Sequence, residues 1–173
     1  MARPRFEDVV IPHLDAAFNY ARWLTRSDQD AEDVVQDATV RAWRFFSSLR
    51  NEDARAWLLT IVRNTWYAHL ARRRASEAVG VYDEMADDRH DEALDPEALV
   101  LQRQTVAQVQ QAVEALPVDF REVIVLRELE GMSYKEIAAI VGVPLGTVMS
   151  RLSRARERLL SVLGSAVASG GRA

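Results

Sequence analysis

The sequence predicts an all-α protein made of two small helical domains joined by an acidic flexible linker, with the second domain ending in a helix-turn-helix. Three observations support this fold class. Apolar residues recur at intervals of three and four in both halves of the chain, which is the spacing of amphipathic helices. A central stretch is rich in acids and has little apolar periodicity. Glycine, proline and small polar residues stand where helices are expected to begin and end.

The charge is distributed unevenly along the 173 residues. The chain has 22 basic and 26 acidic residues, a net charge of −4, which by itself argues against a nucleic-acid-binding protein. However, residues 76–97 hold nine acids and one arginine, whereas residues 1–75 and 98–173 each carry a net charge of +2. The acidity therefore belongs to the middle of the chain. We predict domains at 1–75 and 97–163, a linker at 76–96 and a disordered tail at 164–173.

Several classes of function are excluded or disfavoured. The chain has no cysteine, so disulfides and thiolate chemistry are excluded. Its three histidines show no metal-ligand spacing with carboxylates, and there is no phosphate-binding glycine-rich loop or nucleophile–base pair. We therefore expect neither an enzyme, nor a cofactor, nor a metal site. Because the N-terminus lacks a signal peptide and no apolar run approaches the ~20 residues of a membrane span, we expect a cytoplasmic protein without membrane contact of its own.

The first domain is predicted to contain three helical stretches. The first runs from Phe6 to Leu24 and is interrupted by Pro12, which separates or kinks its first turns. The second begins with a cap at Ser27 or Asp28, and its outer face is polar. Its predicted inner face consists of Ala31, Val34, Val35, Ala38, Ala42 and Phe45.

The third helix begins near Ala54 and ends in the basic cluster Arg72-Arg73-Arg74. Its predicted buried residues are Trp57, Leu58, Ile61, Val62 and Thr65. Aromatic residues near the cluster, Trp66 and Tyr67, allow two interpretations. Aromatics and arginines together can stack on unpaired bases and neutralise phosphates. Alternatively, the aromatics belong to the core and the arginines form a solvated helix end.

The second domain begins with a helix start at Asp95-Pro96-Glu97. The predicted apolar row of this helix is Leu99, Val106, Val109, Val113 and Leu116, and it stops at Pro117. A further helix, from about Asp119 to Glu130, ends at Gly131, a residue typical of helix C-termini.

The end of this domain has the spacing of a helix-turn-helix. Ile137 and Val141 are placed to face the core, and Gly142 can adopt the positive φ that the tight turn requires. Pro144 opens the second helix, whose predicted buried residues are Val148, Leu152, Ala155 and Leu159. Its exposed residues are rich in arginine and serine, which suits the DNA major groove. The alternative is a three-helix bundle with a basic surface.

Several motifs in this order resemble those of the extracytoplasmic-function (ECF) sigma factors, a group of the sigma-70 family. Asp30–Asp37 with Arg41-Ala-Trp43, followed by Ala56–Thr65, resembles region 2. Leu116–Arg127, Glu130–Ala138 and Gly142–Arg156 resemble region 4. The resemblance covers nearly the whole chain. It implies a protein that binds core RNA polymerase and directs it to promoter DNA, region 4 reading the −35 element and region 2 opening the −10 element.

The resemblance also implies roles for individual residues. Core polymerase would be bound by Asp33, Gln36, Asp37 and Arg41. The loop 49–55 would receive a base flipped from the −10 element, and the −10 contacts would be Asn51, Arg55, Arg63, Asn64, Arg72, Arg73 and Arg74. The −35 contacts would be Thr147, Met149, Ser150, Arg151, Ser153, Arg154 and Arg156, of which Ser150, Ser153 and Arg154 would face the bases.

Three further expectations follow from the family. Met149 stands where members often carry a lysine or arginine, so it favours contact with a thymine methyl group rather than a phosphate. The acidic linker either mimics RNA in the polymerase exit path or acts only as a soluble tether. An anti-sigma factor is expected to hold the protein inactive. The alternative function is a free-standing helix-turn-helix regulator that binds operators without polymerase.

Overall fold

The computed structural model describes residues 2–50, 53–78 and 97–170, and all regular secondary structure in these ranges is helical. The first domain contains α1 (Phe6–Val9), α2 (Leu14–Thr25), α3 (Asp28–Phe45) and α4 (Ala54–Ala78). The second contains α5 (Glu97–Glu114), α6 (Val118–Ile124), α7 (Tyr134–Val141) and α8 (Leu145–Gly170). This order of helices confirms the predicted fold class.

Local signals correctly placed the break before α2 and the start of α3. Pro12 lies in a 3₁₀ turn, Ile11–His13, which separates α1 from α2 because proline lacks the backbone donor that a continuous helix needs. The Ser27 hydroxyl accepts a hydrogen bond from the Asp30 amide (3.3 Å) and so caps α3.

The predicted inner face of α3 is wrong at its end. Ala31, Val34, Ala38 and Ala42 are buried as expected, but the Phe45 side chain is 61% exposed. The chain passes at this point into a 3₁₀ turn, Phe46–Ser48, whose tighter winding changes the direction of successive side chains. Phe46 therefore takes the inner position and packs edge-on against Phe6, with ring centroids 5.5 Å apart.

The first half of the second domain differs in detail from its prediction. Val113 and Leu116 are buried, but Val106 and Val109 are exposed, because only the C-terminal part of α5 lies over the core of the domain. The helix predicted over 119–130 is α6 followed by a π-helical turn, Val125–Leu129. It ends before Gly131, which has a φ of +63°.

The helix-turn-helix is formed by α7 and α8. The Ser133 hydroxyl accepts a hydrogen bond from the Glu136 amide (3.1 Å) and caps α7. Gly142 ends α7 with a φ of +70°, and its amide donates to the Ala138 carbonyl. The buried residues of the pair are Ile137, Ile140, Val141, Val148, Leu152 and Ala155. The two helices therefore meet as the glycine and apolar spacing predicted.

Replacing Gly142 by alanine tests the turn. No atom lies within 4 Å of the added Cβ, so the expected effect comes from the left-handed backbone alone, a loss of about 1–2 kcal/mol of unfolding free energy. Gly164→Ala is the matched control, since Gly164 lies within α8 with open space around it. This variant should gain about 0.5–1 kcal/mol of unfolding free energy. Urea denaturation measures both, and equal changes in the two variants would contradict this account of the turn.

The boundaries of the predicted linker and tail need revision. Helix α4 continues to Ala78, three residues into the predicted linker, and residues 79–96 of that linker lie outside the described residues. The predicted disordered tail is wrong for residues 164–170, which extend α8. One glycine inside a helix costs only about 1 kcal/mol, so Gly164 does not end it. Residues 171–173 lie outside the described ranges.

The two domains pack against each other. Helices α2 and α4 contact α6, the π turn and α7, and buried side chains from both domains, from Phe6 to Ala155, form one hydrophobic core. In the described ranges no single helix is long and apolar enough to cross a membrane. Helix α7 and residues Leu145–Ser165 are long and apolar enough when taken together, but this concerns length and composition only, and the two segments meet at a bend of 101°.

Candidate functional site

The polar face of α3 forms an open concavity with the second half of α4. Its volume is about 470 Å³, and it is lined by Asp33, Gln36, Asp37, His69, Arg72, Arg73 and Ser76. Three of the four residues predicted to bind polymerase therefore lie beside two of the arginines predicted to bind DNA. The fourth, Arg41, is half-buried one turn beyond Asp37.

The acids of this concavity differ in their partners. The Asp37 carboxylate lies 2.7 Å from Nε2 of His69 and 3.8 Å from the Arg72 guanidinium. Asp33 is exposed, and within the described ranges no side chain forms an ion pair or hydrogen bond with it. Asp33 is thus a solvated negative charge, whereas that of Asp37 is partly offset within its own domain.

The arginine cluster at the end of α4 is divided by the helix. At about 100° per residue, Arg72 and Arg74 flank the face of Asn64 on either side, whereas Arg73 points away from it. Consistent with this, Arg73 donates to the Asp30 carboxylate on α3 at 2.8 Å. Asn64 is exposed. Among the predicted −10 residues, Arg72 therefore faces the α3–α4 concavity with Arg73, Arg74 lies on the other side of the Asn64 face, and Asn51 lies outside the described residues.

Arg63 points into the boundary between the domains instead of into solvent. Its guanidinium donates two hydrogen bonds to the Glu122 carboxylate, at 2.9 and 3.1 Å, and the Tyr20 hydroxyl donates a third at 3.3 Å. Glu122 is fully buried. Burial raises the pKa of Glu122, although the Arg63 charge opposes this. Burial and the nearby Glu122 charge likewise raise the pKa of Tyr20.

The aromatic residues of α4 lie largely within the fold. Trp66 is 8% exposed and belongs to the core. The Tyr67 ring lies 4.5 Å from the Arg63 guanidinium carbon and is half-buried. The interpretation that these aromatics are core residues is therefore correct for Trp66, and the stacking surface for bases would have to come from elsewhere on this domain.

The exposed side of α8 carries the residues predicted to read the −35 element. By helical phase, Ser150, Ser153 and Arg154 lie opposite the buried row of Val148, Leu152 and Ala155, and all three are exposed. No described side chain pairs with Arg154. This places the predicted base-reading residues on the face that is furthest from the core.

The other predicted −35 residues lie at the edges of this face or are already bonded. The Thr147 amide donates to the Pro144 carbonyl at 3.0 Å. A phosphate at this end of α8 would therefore have to be bound by the Thr147 side chain or by an earlier backbone amide. Arg156 donates to Glu128 at 2.9 Å, a contact that raises the pKa of Arg156. Met149 is 51% exposed and lines a shallow concavity beside Tyr134. Arg151 is half-buried on the opposite edge.

Sequence reasoning missed the residues that connect the domains. Glu122 lies four residues after Val118 and three and four residues before Val125 and Leu126, a helical spacing that turns it inward and is a signal for a buried, paired acid. Its partner Arg63 is 59 residues away, and nothing local identifies it. In the described ranges, no group of histidines and acids has the arrangement of a metal site.

Two family models match the two domains separately. Residues 9–76 match "Sigma-70 region 2" and residues 107–159 match "Sigma-70, region 4". These ranges contain α2, α3 and most of α4, and α6, α7 and the first half of α8, the helical segments that carry the surfaces described above.

Three similar proteins agree with these matches. The ECF RNA polymerase sigma factor SigE of Mycolicibacterium smegmatis is 33% identical over 94% of this chain, which spans 63% of that protein's length. The ECF RNA polymerase sigma-E factor of Escherichia coli is 40% identical over 75% of this chain and 72% of that protein. The sigma factor RpoE of Bartonella quintana, solved with the anti-sigma factor NepR, is 32% identical with a TM-score of 0.71 over 92% of this chain and 96% of that chain. The chain therefore belongs to the ECF sigma factors of the sigma-70 family.

Proposed function

We propose that this protein binds core RNA polymerase in the cytoplasm and directs it to promoters that carry −35 and −10 elements. The supporting observation is the presence, in one chain and in this order, of a region 2 domain with a polar concavity and a region 4 domain with an exposed recognition helix. A free-standing regulator would need only the second of these.

In this proposal different surfaces bind polymerase, the −10 element and the −35 element. The α3 face, with Asp33, Gln36, Asp37 and Arg41, docks on polymerase. Asp33, which has no ion-pair partner in the described part of the chain, contributes the strongest attraction. Asn64 contacts the opened −10 strand, and Arg72 and Arg74 hold phosphates on either side. Ser150, Ser153 and Arg154 read −35 bases, while Arg151 and the N-terminal turn of α8 position the DNA backbone. Arg55, Arg63, Arg72, Arg73 and Arg156 must exchange their present partners before they can bind DNA.

The experiment that tests this function is run-off transcription of fragmented genomic DNA with purified core polymerase. We expect promoter-dependent transcripts only when the protein is added. If no transcripts form, and the protein alone retards duplex DNA in a gel, the free-standing regulator is the correct function.

Replacing Arg154 by alanine is expected to change −35 specificity. If the guanidinium forms two hydrogen bonds with a guanine, its loss lowers the binding free energy by about 1–3 kcal/mol for sites with the preferred base, and by little for the other sites. Binding of holoenzyme to a panel of −35 variants measures this. Arg158→Ala is the control, because Arg158 stacks on Phe120 outside the proposed base-reading face. A uniform loss across the panel for Arg154→Ala would mark Arg154 as a phosphate contact.

We also propose that an anti-sigma factor regulates this protein, as NepR is bound to the Bartonella relative. The exposed apolar residues of α3, Val40 and Trp43, continue the α3 surface and would be covered in such a complex. Pull-down with candidate anti-sigma factors, followed by loss of run-off transcription when the partner is added, tests this proposal.

A further inference from the structure

One edge of α8 carries two exposed apolar side chains beside the residues proposed to read the −35 element. Leu145 and Met149, which we call the apolar edge, are 48% and 51% exposed. They are four residues apart, so they lie one above the other on the same side of the helix. Met149 is only about 40° around the helix axis from Ser153. The apolar edge therefore continues the proposed base-reading face, and it belongs to the first two turns of α8.

The surroundings of the apolar edge do not favour a phosphate group. Met149 lines a shallow concavity together with Tyr134, at the start of α7, and with Glu157. The Glu157 carboxylate would repel a phosphate because the two charges have the same sign. Arg156, the cation among the lining residues, donates to the Glu128 carboxylate at 2.9 Å. An uncharged, apolar group therefore fits this edge better than a phosphate does.

The DNA major groove offers such a group on one of its bases. Thymine presents its 5-methyl group there beside the O4 acceptor, whereas cytosine presents an amino donor and no methyl group. In helix-turn-helix proteins, the first residues of the second helix contact base edges, and the first helix crosses the DNA backbone. Leu145 and Met149 occupy those first turns of the second helix. A thymine beside Ser153 could thus accept a hydrogen bond at O4 and place its methyl group against Met149.

We propose that Leu145 and Met149 form a specificity-determining contact with the 5-methyl group of a thymine in the −35 element. This inference rests on the proposed function, in which α8 lies in the major groove of that element. Burial of one methyl group against apolar side chains corresponds to about a fourfold change in affinity. The contact selects for thymine without a further hydrogen bond, because the methyl group is the feature that it recognises.

Removal of single methyl groups tests this contact. Deoxyuridine differs from thymidine only by the 5-methyl group, so it leaves base pairing and the hydrogen-bonding atoms in place. Each thymine on both strands of the −35 element, in a promoter identified by run-off transcription, is replaced in turn, and holoenzyme binding is measured by competition. We expect deoxyuridine to weaken binding about fourfold at one thymine, or at two adjacent ones, and to have little effect elsewhere.

Variants of α8 assign the effect to the apolar edge. In Met149→Gln the polar end group should abolish the preference, so that thymine and deoxyuridine bind equally, whereas Met149→Leu should preserve it. Val162→Gln is the matched control and should also preserve the preference. Val162 is a 56% exposed apolar residue of α8, but it lies more than three turns beyond Met149 and on the other side of the axis. Circular dichroism checks the helix content of each variant, and Leu145→Gln decides the question if Met149→Gln does not fold.

Several outcomes would overturn the methyl contact. They are the absence of any thymine at which deoxyuridine weakens binding, and a preference that survives in Met149→Gln. A second scan replaces each cytosine of the element by 5-methylcytosine, which carries the same methyl group. Stronger binding in that scan alone, with no effect of deoxyuridine, would overturn thymine as the occupant.

Failure of the contact and failure of the proposed function are distinguishable. Promoter-dependent transcripts without a methyl preference would overturn the contact alone. If the protein initiates no transcription but retards genomic duplexes by itself, the proposed function fails, and the same scan on the retarded duplexes still decides whether the contact exists. A protein that binds no duplex DNA, with or without polymerase, would overturn both.

Discussion

Replacing Asp33 by arginine is expected to weaken binding to core RNA polymerase at least about 100-fold, since like charges at an interface cost several kcal/mol and each 1.4 kcal/mol is tenfold. Asp33 is exposed, lies in the α3–α4 concavity and has no partner among the described residues. A basic group on polymerase can therefore pair with Asp33 without breaking an ion pair among the described residues. Fluorescence anisotropy of the labelled protein titrated with core enzyme measures the affinity.

Glu32→Arg is the matched control for Asp33→Arg. It makes the same change of charge at an exposed neighbour in the same helix, but about 100° around the axis. We expect its effect on polymerase affinity to be less than about tenfold, mainly through long-range electrostatics. Asp37→Asn should also have a smaller effect than Asp33→Asn, because the Asp37 carboxylate already contacts Nε2 of His69 and lies 3.8 Å from the Arg72 guanidinium. Similar losses for Glu32→Arg and Asp33→Arg would show that only net charge matters.

Replacing Glu122 by leucine is expected to lower the unfolding free energy by about 3–5 kcal/mol, the usual cost of removing one partner of a buried ion pair. It leaves Arg63 without its carboxylate and the Tyr20 hydroxyl without its acceptor. Arg63→Met should be at least as damaging, because Glu122 is fully buried. The double variant should recover most of the loss, since an apolar pair of similar volume carries no desolvation cost.

Urea denaturation of the four proteins in this cycle gives the coupling between Arg63 and Glu122. Glu128→Ala serves as reference, because Glu128 and Arg156 form an exposed pair, which should contribute less than about 1 kcal/mol. If Glu122→Leu were as stable as the parent, the ion pair would contribute nothing to the contact between the domains. Additive losses in the double variant would show that the two residues act independently.

Helices α7 and α8 show how much of a structure a local sequence pattern can predict. Ser133, Gly142 and Pro144 mark the ends of α7 and α8 because caps and turns depend on a few consecutive residues. The phase of Ser150, Ser153 and Arg154 follows from the helix once its buried row is known. The same reasoning failed at Phe45, where the α-helix gives way to a 3₁₀ turn, and at Val106, where the helix continues but the side chain is exposed. A spacing states which residues share a face, but not where the helix ends or whether another element covers that face.

Periodicity and caps were enough to predict the all-α class, the two helical domains in their order, and the exposed face of α8, because each of these depends on residues within one segment. Which charges are paired follows only from how the helices pack. Among the described residues Asp33 has no ion-pair partner and Asp37 has one, Arg73 donates to Asp30, and Arg63 is held by Glu122 across 59 residues. Electrostatic energy depends on distance and burial, and neither can be read from positions along the chain.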